Sequence, residues 1–101
     1  MDAVDLMAGA NRSVVYHGTT DWTGRKAVVI LVTEATIFEN LEESLYDGLN
    51  GVTGAVDALT TAEQNIVAST TEVAAGTILK PLRQVFSRVK MVSGQCTGYE
   101  R

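Results

Sequence analysis

The run AVVILV from Ala27 to Val32 carries no polar side chain. Its β-branched residues are stiff at the first side-chain torsion and suit a pleated strand, and an unbroken apolar run of this length demands burial. The next stretch is shorter and mixed: Thr36 to Leu41 reads as a second strand, with Thr33 to Ala35 a turn or bulge between them. The chain must therefore cover this run, with either its own segments or those of a partner.

The means of doing so are limited. A chain of 101 residues forms one domain, and folding at this size hides roughly 60 to 70% of the unfolded surface. Cys96 is the single cysteine, so no intramolecular disulfide can staple the fold. Hydrophobic residues at 46% and charged residues at 20% describe an ordinary globular chain rather than a disordered one. No stretch reaches the roughly 18 apolar residues of a membrane span, and MDAVDLMAGA opens with acids where a secretory leader would carry bases. Synthesis in the cytoplasm is expected.

The net charge of −4 is unevenly spread. Up to Glu63 there are three bases against ten acids, and from Gln64 onward five bases against two acids. Scattered solvated faces account for such an imbalance first, and surfaces of opposite sign that favour self-association or docking on a charged partner are the alternative, while the acidic total and the lack of a basic run speak against nucleic acid. A homodimer or homotrimer would bury apolar surface that one small core cannot.

Residues 1–25 hold little periodicity beyond SVVY, and Asn11, Gly18, Thr19, Thr20 and Gly24 mark an extended N-terminal arm ahead of a single domain spanning 26–101. Val14, Val15, Tyr16 and Trp22 are its apolar anchors, expected to lie against another chain. The stretch from Leu41 to Leu59 has some helical spacing at Leu41, Leu45 and Tyr46. Its Asp47-Gly48, Asn50-Gly51 and Gly54 break a long helix and indicate a turn-rich surface excursion. Short β-type runs then resume, broken at Ala75-Gly76, and Pro81 excludes a central, fully paired strand position.

The closing stretch VFSRVKMVSGQCTGYER is open to two readings. Val89 and Met91 alternate with Arg88 and Lys90, and Ser93-Gly94 is a turn pair, which predicts a hairpin. A helix from Pro81 to Val92 would instead use the stripe Leu82, Val85, Phe86 and Val89.

The order KAVVILVTEATIFENL, a Gly-rich excursion, then AAGTILKPLRQVFSRVKMVSGQCTGYE resembles a group of short tailed-bacteriophage virion proteins. In that group an apolar strand precedes a T-x-F strand, a divergent middle, an AGT-I step and a closing F-x-x-I-x-L-x-S-G-x-x-x-x-Y hairpin. Phe86, Val89, Met91, Ser93, Gly94 and Tyr99 fall at the closing positions, whereas Pro81 departs from the pattern by sitting where a strand belongs. The resemblance implies a small antiparallel β-sandwich or jelly roll on a virion. Its role there would be to cement or decorate the capsid by binding the major capsid protein, or to form part of the tail.

No residue set predicts catalysis, a metal or a cofactor. His17 is the single histidine, and a pair with Cys96 would need an orienting group. Asp2 with Asp5, or Glu39, Glu42 and Glu43, read as solvated acidic faces rather than paired carboxylates. Gly48, Gly51 and Gly54 lack the GK[ST] of a phosphate loop. Two other classes fit the same residues: a small binding or regulatory module with an amphipathic element in Leu41 to Leu59, and an enzyme subunit with a polar pocket.

Overall fold

The computed structural model describes residues 10–47, 51–59 and 64–101. The described residues contain no helix. Six strands make one antiparallel, open sheet: β1 (Arg12–His17), β2 (Ala27–Asp47), β3 (Gly51–Asp57), β4 (Glu72–Val73), β5 (Ile78–Leu79) and β6 (Val85–Glu100). The main path runs β1-β6-β2-β3, and β4 and β5 pair with β2.

Two long strands dominate. β2 has 21 residues and β6 has 16, and they pair from Ala27 opposite Glu100 to Ser44 opposite Val85. Straight strands of those lengths would reach about 70 and 50 Å. The longest dimension of the molecule is 35 Å, so both strands must bend sharply. Ala27 shows how far: it bridges both Glu100 and Phe86, near opposite ends of β6.

The bends coincide. β2 shifts register repeatedly between Val32 and Asn40, as bulges require, and β6 passes Gly94 at φ +107°. A β-carbon on Gly94 would lie 2.6 Å from the Thr36 α-carbon and 2.7 Å from the Ala35 carbonyl oxygen, so only glycine lets the two backbones meet. Buried Thr36 fastens the corner: its hydroxyl donates to the Glu34 carbonyl at 2.7 Å and accepts the Gln95 N–H at 3.2 Å.

The bends enclose a core of Tyr16, Ala27, Ile30, Val32, Phe38, Leu41, Phe86, Val89, Met91 and Cys96, closed by Ala58, Leu59, Ile66, Val73 and Leu79. The demand made by AVVILV is met on both faces, since Val28 and Val29 pack with Val85 in a second cluster.

Several expectations change. Ser93-Gly94 is not a hairpin turn; the alternation of Val89 and Met91 against Arg88 and Lys90 is real, but glycine serves as a bend inside one strand. Of the turn or bulge expected at Thr33–Ala35, the bulge forms, and the two expected strands on either side of it are one strand, β2. The expected excursion after Leu41 is regular structure at both ends, with β2 running on to Asp47 and β3 pairing back along it, while 48–50 lie outside the described residues. Pro81 sits in the link between β5 and β6, where no ladder needs its missing N–H.

Candidate contact surfaces

The four residues expected to anchor an arm are divided by strand geometry. Arg12–His17 is an edge strand of the chain's own sheet, in unbroken register with β6 from Arg12 opposite Glu100 to His17 opposite Gln95. Alternation sends Val14 and Tyr16 to the core and Val15 outward, where it is 46% exposed. Trp22 packs partly buried on the same core and exchanges two backbone hydrogen bonds of 2.9 Å with Val89. Three of the four therefore serve intramolecular packing, and Val15 alone faces outward. Residues 1–9 of the expected arm lie outside the described residues.

Beneath β1 is a buried polar cluster that fixes this strand. Tyr16 lies over Gly98, where a β-carbon would come within 2.5 Å of the ring. Its hydroxyl donates to Glu100 Oε2 at 2.5 Å. Arg25 grips the same carboxylate through both oxygens at 2.9 and 3.0 Å, and Arg12 adds a bond of 3.2 Å. Burial alone would push the Glu100 carboxyl up. The hydrogen bonds from Arg25 and Tyr16, with the charge of Arg25, outweigh it and hold the group below the ordinary carboxylate range. Burial, then the hydrogen bond to Glu100, pushes the Tyr16 phenol up. The Arg25 guanidinium also lies 6.0 Å from the Tyr16 ring and 5.9 Å from that of Trp22. Among the described residues the buried Trp22 Nε1 finds no acceptor.

Five of the seven exposed large apolar side chains among the described residues fall at two places along β2, while Val67 and Val92 lie outside both. On the outer face, Val15 stands opposite Thr97, Thr97 opposite Leu31, and Leu31 opposite Ile78, so one row crosses β1, β6, β2 and β5. Ile78 is 44% exposed, and Thr97 and Leu31 are half-buried. At the other end, exposed Leu45 and Val56 lie on the β2–β3 hairpin. Val56 is opposite Glu43, whose carboxylate takes the Leu82 N–H, and Leu82 is 59% exposed, the most of the large apolar residues described.

An open groove of about 230 Å³ lies between β3 and residues Thr23 and Gly24. Its walls include Ser44 and Ser87, a buried hydroxyl pair 2.6 Å apart, and Arg88. Arg88 is taken up by carboxylates, Asp21 through two bonds and Glu42 through one, all of 2.9 Å. Glu39 pairs with Lys90 at 3.0 Å. The acids at 39, 42 and 43 thus turn to three different partners instead of converging. His17 points to the opposite side of the sheet from the core-facing Cys96, and meets Trp22 edge-on with ring centres 5.8 Å apart. Burial pushes the Cys96 thiol up to about 11, with a weaker opposing bond from Thr36. Among the described residues no three metal-ligating side chains cluster.

Glu100 and Arg25 were not legible as partners, since 75 positions separate them. Alternation in the closing strand was a usable signal for Glu100: counting by twos from core-facing Cys96 puts Gly98 and Glu100 inside, and a carboxylate there requires a cation. No protein family, curated protein or solved structure matches the chain.

Proposed function

We propose that this chain is a non-enzymatic structural protein of a tailed-phage particle, a cement or decoration protein that bridges major capsid subunits on the capsid surface. The observation that carries the reading is exposed apolar side chains at two places in the sheet, Val15 and Ile78 at the ends of the row through half-buried Thr97 and Leu31, and Leu45, Val56 and Leu82 by the β2–β3 hairpin. Bridging needs two contact areas on one rigid body, and apolar side chains exposed in groups rather than singly mark such areas. The likeness of the strand order and closing motif to short phage virion proteins supplies the particle. The sharp corner of β2 and β6 suggests that the halves of the sheet face each other as layers of a small sandwich, with the corner strands shared between them.

Holding arises from binding alone. Each copy adds free energy only where neighbouring capsid subunits are together, and repetition over a lattice converts weak single contacts into strong retention. The test is to purify particles of the producing phage, quantify this chain by mass spectrometry and locate it by electron cryomicroscopy. Stoichiometric density over capsid subunit joints is expected. Density in the tail would replace the cement reading with a tail component, and absence from particles would overturn both. Val56→Asp with Leu82→Asp should reduce occupancy when purified protein is added to bare shells.

A further inference from the structure

We propose that the open edge of β1 pairs with β1 of a second copy, antiparallel about a two-fold axis through Val15, joining two sheets into one. The proposal rests on reading the Val15 row as a contact surface, and it names the occupant of that surface.

Among the described residues, β1 pairs on one side only. Its six residues keep unshifted register with β6 and include neither proline nor lysine, the residues that commonly blunt an edge. An unpaired regular edge is a template for a further strand.

Alternation decides which strand fits. Residues directly opposite each other share a face, so outward Val15 can meet only outward residues of a copy, namely Ser13, Val15 or His17. Centring the axis on Val15 sets Val15 against Val15 and Ser13 against His17 on the outer face, and Val14 against Tyr16 on the inner face. The row Val15–Thr97–Leu31–Ile78, which ends at the free edge, then continues without interruption into the same row of the copy. Centring on Val14 would instead end each row on a serine. Charge agrees: Arg12 falls opposite Gly18 of the copy, and the two Arg12 residues stand about 20 Å apart along the strand, beyond the screening length of about 8 Å at physiological salt. Arg12 is in any case bonded to its own Glu100. A joint of this kind also suits a bridging protein, because two-fold pairing duplicates the Leu45, Val56 and Leu82 surface on a single body.

The test uses single cysteines in the full chain with a short dimaleimide, since the native Cys96 is buried. Val15→Cys alone is expected to give a covalent dimer. A mixture of Ser13→Cys and His17→Cys should cross-link, while each of those alone should not. Cross-linking dominated by a mixture of Ser13→Cys with Val15→Cys would overturn the Val15-centred register. Unmodified protein should sediment as a dimer at concentrations on the order of 100 µM, the weak association expected of an interface below standard size. Val15→Asp should be monomeric with an unchanged far-ultraviolet spectrum. A monomeric unmodified protein, or a Val15→Asp variant as dimeric as the parent, would overturn the proposal. Particle occupancy separates the two readings: a dimer that never binds shells defeats the cement role and leaves the pairing standing, and a monomer that occupies shells does the reverse.

Discussion

The sheet ends in two different strands, β1 and β3. β1 is regular along all six residues and is anchored underneath by Tyr16, Glu100 and Arg25. β3 has a bulge in which Gly54 and Ala55 together oppose Ser44, with Gly54 at φ +68°, and its side chains from Thr53 to Asp57 are exposed. A bulge twists an edge and interrupts its hydrogen-bonding row, so β3 is a poor template for another strand while β1 is a good one. The difference shows that an open sheet can keep one end available while a bulge, with exposed Asp57 and the Arg83 guanidinium beside Gly54, guards the other.

This contrast can be broken most severely at the seat of β1. Gly98→Val should unseat Tyr16 by occupying the space of its ring, and overpacking with loss of a buried aromatic should cost about 4 kcal/mol in urea denaturation. Arg25→Ala comes next, at about 3 kcal/mol, because Glu100 would remain buried with only Tyr16 and Arg12 to compensate it. Hydrogen exchange should show the loss in β1 before β3.

Acid should act on the same anchor without mutation. The Glu100 carboxyl lies lower in the folded chain than in the unfolded one, so its contribution is present above the unfolded value and is lost as pH falls through the folded value. A melting temperature that declines on acidification in the parent and less steeply in Glu100→Gln checks this. Tyr16 runs in the opposite sense: with its phenol raised, its contribution is complete below about 10, the unfolded value, and is lost above it.

On the β3 side the effects are smaller. Gly54→Ala has room for its methyl group, 3.5 Å from Arg83, and should cost about 1 kcal/mol, the penalty for a left-handed residue with a β-carbon. Smallest of all, Val15→Thr should change stability by less than about 0.5 kcal/mol, as an exposed substitution does, while weakening self-association. Equal responses of β1 and β3 to Gly98→Val would erase the distinction between the two ends.

Much of this was readable from local pattern. The AVVILV run announced a buried strand, and it is buried apart from half-buried Leu31, while the Ala75-Gly76 break falls between β4 and β5. Glycine was harder to interpret. Gly94 has the turn signature that also serves a bend, and only the nearby Thr36 and Ala35 backbone decides between them. RSVVYH carries little local strand signal because it is short and bordered by turn residues, and its worth as a strand depends on β6, at the other end of the sequence. The surfaces were least legible: Val15, Thr97, Leu31 and Ile78 form a row only through three strand pairings, none of them local.

The pairing of Arg12 with Glu100 also orders events in time. β1 has no partner until β6 is in place, with 88 positions between Arg12 and Glu100, and β2 needs the same strand from Ser44 opposite Val85 to Ala27 opposite Glu100. Folding should therefore be slow for a chain of this size, with SVVY and AVVILV exposed in the interval and within reach of chaperones or of other copies.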